Sequence, residues 1–421
     1  MEKIKNLILG AGIAGLACAD RINKGGDEAT VFEAENYAGG LCHSFMINDF
    51  RFDSATHLAF AEEDVAQKFF EKTPYQCHLP ISYNFYHSLW IKQPVLNNLY
   101  SLSVDEKVQC IQSFVEREHI AEISDYGQWL RANYGEVVSE QFYNIYTRKY
   151  WRVEPSELSV SWLKKRLTEP NLEKILRGAF SAETGIDHFF KEFYYPVGNG
   201  GYETFLKPLL RNTNVVLNKR CVSVDLKERY VRFQDGSVYY YDNLFSSIPL
   251  PLLIDCIVDV PDEMKNLAAG LQASKISLVS IGFNKPDIIK WLWFYIYDED
   301  IMAARVNSPS VKSVDNAPKG CSSLQFEIYH GPQDVIDREE ILNNTKYALQ
   351  KMDLCKEEDI LFMDYRLLPY GNVIFYKEME NKRDILKEYL KGQRVNLIGR
   401  FGEWDYLWSY QSYLSGYRAV E

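Results

Sequence analysis

The sequence is short of several things, and each shortage removes a class of function. Its eight cysteines are scattered with no CxxC pair and no zinc-type spacing, so neither a disulfide framework nor a metal site is expected. A reducing cytoplasm is the compartment that suits such thiols. Basic residues are outnumbered, with 47 Lys and Arg against 58 Asp and Glu and a formal charge of −11. Nucleic acid, which needs a basic surface to displace counterions, is disfavoured as a partner. No uninterrupted apolar run reaches the ~18 residues that span a bilayer, so no integral membrane segment is expected. Internal repeats and low-complexity linkers are also missing.

What remains is the balance of a folded protein, 46% hydrophobic and 25% charged. At 421 residues the chain exceeds one ordinary domain, so two or three are expected. Aromatics are plentiful, with 29 Tyr and eight Trp. Such side chains fill cores, and they also line pockets for sugars and flat heterocycles.

The N-terminus has a basic start, an apolar middle and small residues at Ala17-Cys18-Ala19, features shared with secretory signals. Three glycines at fixed spacing favour another reading: a buried strand over Ile4 to Leu9 that opens into a nucleotide-binding loop. Gly10-Ala11-Gly12-Ile13-Ala14-Gly15 matches GxGxxG, a helix follows from Leu16 to Ile22, and Ala29 to Phe32 forms a second strand ending in Glu33. Gly10 allows the tight turn, Gly12 lets backbone approach a pyrophosphate, and Gly15 lets helix and strand pack. The helix N-terminus offers free N–H groups to phosphates. Glu33 stands where a carboxylate accepts from a ribose diol.

Further along, Ser103 and Glu106 form a capping box, Asp125 opens another helix, and residues 100–190 read as helices. Val215 to Val224 alternates like one strand, Asp235-Gly236 reads as a hairpin turn, and Leu244 to Ile248 as a buried strand. Residues 276–376 read mainly as strands, and Val395 to Gly399 as a last parallel strand.

Glu33-Ala34 followed by Gly39-Gly40 resembles the second motif of the large two-dinucleotide-domain flavoproteins, although Tyr37 stands where many members carry arginine. Tyr195 to Leu206 is similar to another element of that superfamily. Tyr146-Thr147-Arg148-Lys149-Tyr150-Trp151, Glu157-Leu158 and Lys164-Lys165-Arg166 look like the helical segment of UDP-galactopyranose mutases. Gly399-Arg400-Phe401-Gly402, with Trp404, Tyr406 and Gln411, looks like their C-terminal motif in its eukaryotic form. Phe52 to His57 resembles the segment that sets a histidine beside the isoalloxazine.

The resemblance implies an α/β fold: a Rossmann-like FAD-binding domain with a helical insertion and an antiparallel β-sheet substrate domain. The FAD-binding domain would comprise residues 1–75, 191–258 and 392–421, the helical substrate domain 76–190, and the sheet substrate domain 259–391. Cofactor contacts would fall to Gly10, Gly12, Ile13, Ala14, Gly15, Glu33, Ala34, Gly39, Gly40, Leu41, His57, Val222, Gly399, Arg400 and Gln411. Trp151 would line the nucleotide end of the substrate cleft. Arg166, or Lys165 with a one-residue gap, and Arg305 would grip a diphosphate, with Tyr376 and Tyr406 facing it. His57, Arg166, Arg305, Tyr376 and Tyr406 would be the catalytic set, and Trp404 and Trp408 would pack. Arginine forks and tyrosine hydroxyls are good donors to phosphate oxygens.

The activity implied is pyranose–furanose interconversion of a nucleotide-diphosphate sugar, a UDP-sugar first, in cell-surface polysaccharide precursor synthesis. FAD would carry the covalent step in its reduced form, with NAD(P)H or another reductant to prepare it. The alternative is a FAD-dependent oxidoreductase of the amine oxidase and protoporphyrinogen oxidase type, which shares every FAD motif. Convergent Arg166 and Arg305 would separate the two.

Overall fold

The computed structural model describes residues 2–420, apart from 164, 165, 168, 169 and 189. The N-terminal motif folds as β1 (Glu2–Leu9), α1 (Ile13–Lys24) and β2 (Ala29–Phe32). Leu7, Ile8 and Val31 are fully buried, each contributing about 1.5–3 kcal/mol by leaving water. β1 pairs in parallel with β2 and with Val238–Ser246. That central position explains why its end, Leu7-Ile8-Leu9, is continuously apolar and buried.

The remaining strands of this seven-stranded sheet come from distant parts of the chain. Asn214–Val216 extends β2, and Val395–Leu397 pairs in parallel with Val238–Ser246. Cys221–Asp225 and Tyr230–Phe233 complete the opposite edge as an antiparallel pair. The stretch expected as one strand over 215–224 is thus two. Asn218, at φ 57°, turns the chain between them, and its N–H donates to the Glu35 carbonyl at 3.0 Å.

A second seven-stranded sheet is mostly antiparallel. At one edge, Lys275–Phe283 runs between the edge strand Ile360–Leu368 and Ser322–His330. Its far edge holds the hairpin Ser82–Tyr86 and Leu89–Lys92, so the span 76–190 opens with strands before its helices begin. The helix Arg338–Lys351 interrupts the strands of 276–376.

Helices Val104–Val115, Tyr126–Tyr134, Ile145–Trp151 and Leu172–Phe180 form the third part. The Ser103–Glu106 capping box is present, and Asp125 caps the second helix through the Gln128 N–H. Ser139–Asn144 is a π-helical segment leading directly into Ile145–Trp151. Among the described residues no helix is long and apolar enough to cross a membrane.

Candidate functional site

A cavity of about 910 Å³ begins at the N-terminus of α1 and is lined by all three parts of the fold. Its volume lies at the upper end of the ~300–1,000 Å³ usual for ligand sites. Gly10, Gly12, Ile13, Ala14, Glu33, Ala34, Gly39, Gly40, Leu41, His57, Gly399 and Arg400 all line it.

The glycines make the first wall possible. Gly10 sits at φ +93° and Gly39 at φ +118°, conformations side chains rarely adopt. Gly39 donates its N–H to the Ala11 carbonyl at 2.8 Å, which ties the second glycine motif onto the first. Gly12 has ordinary backbone angles, and a Cβ there would meet nothing within 4 Å. Its missing side chain therefore leaves cavity open. No side chain caps α1, so its first N–H groups remain for an anionic ligand. Glu33 is held by the N–H groups of Ala11 at 2.8 Å and Glu35 at 3.0 Å. An uncapped helix end, an open glycine and a fixed carboxylate fit a dinucleotide.

Gly15 faces away from this space, because a Cβ there would collide with the Gly10 carbonyl. With Gly15, two further expected contacts, Val222 and Gln411, do not line the cavity. Val222 is 45% exposed and does not line the cavity; Lys219, Arg220 and Cys221 do. The expectation for Val222 comes from the family resemblance, and the register shift between Cys221 and Ser223 falls at this position. Gln411 caps the helix Ser409–Arg418, its Oε1 accepting from the Trp408 N–H at 2.9 Å.

His57 reaches the cavity on the loop after Asp53, its Nδ1 donating to the Ala55 carbonyl at 3.2 Å. Burial lowers its pKa to about 4, and Lys312 adds to the effect while Asp53 opposes it. Behind it lies a fully buried ion pair, Lys312 Nζ to Asp53 at 3.5 Å, with the Tyr195 hydroxyl donating to Asp53 at 2.9 Å.

The helical wall presents Tyr143, Tyr146, Thr147, Tyr150 and Trp151 to the cavity, a spacing that follows one helix face. Tyr150 meets Tyr406, from the C-terminal segment, hydroxyl to hydroxyl at 2.8 Å. The Arg166 guanidinium stacks on Tyr406 at 4.1 Å and on Trp408 at 3.9 Å, and it donates to the carbonyls of Trp162 and Tyr406. Burial, aided by nearby Arg400, lowers its pKa to about 10. Trp408 therefore belongs to the cavity wall, whereas Trp404 is buried. Arg400 faces the Tyr406 ring at 4.5 Å and bonds Leu407 and Asn372.

Arg305 lies 6.0 Å from the Tyr150 ring centre. Its charge is already met by Glu327, at 2.7 Å to one guanidinium nitrogen and 2.8 Å to Nε. Burial disfavours both charges, but each partner overrides it, raising Arg305 and lowering Glu327. Glu327 also accepts from the Thr56 N–H at 2.7 Å and the Tyr329 hydroxyl at 2.8 Å. Both arginines line one cavity, and Arg305 enters it paired. Tyr376 does not line it: the residue bridges to Leu158 and packs on the core. Lys165 lies outside the described residues.

Residues 8–73 match the NAD(P)-binding Rossmann-like domain. A 1-hydroxycarotenoid 3,4-desaturase of Flavobacterium sp. (strain P99-3) is 49% identical over 54 residues, 13% of this chain and 11% of that protein. The chain thus spans only a small part of that relative's length. The structure of reduced UDP-galactopyranose mutase superposes with a TM-score of 0.93 at 21% identity, over 99% of this chain and 95% of that one. A redesigned putrescine oxidase gives a TM-score of 0.66 at 12% identity, over 99% and 98%. The chain shares its overall fold with these two flavoenzyme structures, and its residues 8–73 match the NAD(P)-binding Rossmann-like domain.

Proposed function

We propose that the protein is a FAD-dependent mutase that interconverts the pyranose and furanose rings of a nucleotide-diphosphate sugar, with a UDP-sugar as its substrate class. One observation carries this reading: a single cavity holds the glycine cradle, His57, Arg166 and Arg305. Residues 1–75, 191–258 and 392–421 would act together as the FAD-binding unit, a division supported by the strands they contribute to one sheet.

When bound in its reduced form, FAD supplies the nucleophile for a redox-neutral ring exchange. The chain's own groups bind and orient. The N–H groups opening α1 would face the FAD pyrophosphate, and Glu33 the ribose. Arg166, together with the hydroxyls of Tyr150 and Tyr406, would stabilise the departing diphosphate. Arg305 would contribute while remaining bound to Glu327. Neutral His57 would hold one proton through Nδ1 and leave Nε2 as an acceptor toward the flavin. Trp151 would pack at the nucleotide end.

One observation favours a FAD-dependent oxidoreductase instead. Glu327 already neutralises Arg305, so half of the expected cationic pair is spoken for within the protein. Product identity separates the two. Reduced protein incubated with UDP-galactose and a panel of other nucleotide sugars should give furanose products; oxidation products alone would select the oxidoreductase.

A further inference from the structure

Two neighbouring cysteines, Cys221 on the cavity wall and Cys256 behind it, have no part in the function proposed above. Cys221 opens the strand Cys221–Asp225 and lines the cavity beside Lys219 and Arg220. Cys256 ends the helix Leu250–Cys256 and is buried. The fold sets them together. Val224 bridges to Ile257, and the Val258 N–H donates to the Val224 carbonyl at 2.9 Å. The Cys256 thiol donates toward the Cys221 carbonyl at 3.7 Å, which sets the two cysteines side by side. The neighbouring Cys221 favours ionisation at Cys256, whereas Cys256 and burial resist it at Cys221. Burial instead pushes the Cys18 and Cys42 thiols up to about 12, which leaves them inert at neutral pH.

We propose that Cys221 and Cys256 are a peroxide-reactive dithiol whose closure to a disulfide loosens the cavity's hold on its dinucleotide. The Cys256 thiolate attacks one oxygen of hydrogen peroxide and the O–O bond breaks. The leaving hydroxide takes a proton and departs as water, and Cys256 becomes a sulfenic acid. The Cys221 sulfur then displaces the sulfenic hydroxyl, which leaves as a second water with the Cys221 proton. Two thiols lose two electrons in total, and one peroxide gains them.

The consequence for binding follows from the residues just before Cys221. The Lys219 N–H donates to the Glu33 carbonyl at 2.7 Å and the Asn218 N–H to the Glu35 carbonyl at 3.0 Å. Drawing Cys221 toward Cys256 strains the segment that holds Glu33 in position. This link rests on the cofactor reading above, whereas the crosslink itself does not, so the two failures are distinguishable.

The test treats the full chain with hydrogen peroxide, both loaded with FAD and after FAD removal, then alkylates remaining thiols and maps peptides by mass spectrometry. A Cys221–Cys256 crosslink should form at least tenfold faster than oxidation of the exposed Cys77, and dithiothreitol should reverse it. Oxidised protein should retain added FAD at least tenfold more weakly in ultrafiltration. Cys256→Ser should give no crosslink and no peroxide-dependent loss of retention. Absence of the crosslink, or its formation no faster than Cys77 oxidation, overturns the dithiol. A crosslink with unchanged FAD retention overturns its effect on binding.

Discussion

The hydroxyls of Tyr150 and Tyr406 lie 2.8 Å apart, although 256 residues separate them in the chain. Arg166 stacks on the ring of Tyr406, and Arg305 faces that of Tyr150. This tyrosine pair therefore joins the helical part to the C-terminal segment and stands between the two arginines. Tyr406→Phe removes one hydroxyl and keeps the stacking surface for Arg166. It should lower turnover on a nucleotide sugar at least tenfold while changing the denaturation midpoint little, since one hydrogen bond contributes only about 0.5–1.5 kcal/mol. Steady-state kinetics and a denaturant titration on the same preparation check both.

Gly12→Val should abolish FAD loading without unfolding the protein. Backbone angles at Gly12 suit any residue, and a Cβ there meets only open cavity. The ratio of flavin to protein absorbance measures loading, and circular dichroism measures the fold. Full loading would mean that the dinucleotide lies elsewhere.

Arg166→Ala and Arg305→Ala should behave differently. Arg166 makes no ion pair among the described residues, and losing its two stacking contacts costs about 0.5–2 kcal/mol. UDP binding should weaken at least tenfold, with stability nearly intact. Arg305→Ala strands the fully buried Glu327 carboxylate, an error that costs about 3–5 kcal/mol. Calorimetric binding of UDP and a denaturant midpoint for each variant resolve the two effects. Equal stability losses would show that Glu327 needs no partner.

The dinucleotide end is readable in the sequence because its determinants are local. Gly10, Gly12, Gly15, Glu33 and Gly39-Gly40 act at fixed spacing within one βαβ unit, where each glycine answers a steric demand. The same holds for the Ser103–Glu106 cap. Glu327 carries no such mark. It is one of the polar residues alternating with Leu324, Phe326 and Ile328 along Ser322–His330, and only sheet register sets it opposite Arg305. Lys312 is equally silent, since a lysine ending the short helix Pro309–Lys312 reads as surface until Asp53 is folded against it. Tyr143, Tyr146 and Tyr150 did leave a signal, an aromatic stripe at helical spacing, but core packing produces the same stripe. The expectation for Val222 rests on family resemblance, and the irregular register between Cys221 and Ser223 leaves no mark in the sequence.

His57 makes stability fall in acid. Its folded pKa of about 4 lies below its ordinary 6.5, so the unfolded chain binds the proton more readily. The contribution is complete above pH 6.5 and is lost as the pH drops toward 4, amounting to roughly 3 kcal/mol. His57→Asn should flatten the pH dependence of unfolding by about that amount across this window. Parallel curves for the two proteins would mean that His57 is freely protonated.

The most direct measurement counts electrons. Protein reduced once with dithionite, freed of excess reductant and kept anaerobic, is given UDP-galactose in large excess, and product and flavin spectrum are followed together. A mutase forms many equivalents of the furanose while the flavin stays reduced, and the oxidised protein forms none. No furanose at all, or one reducing equivalent consumed for each product formed, would contradict the assignment.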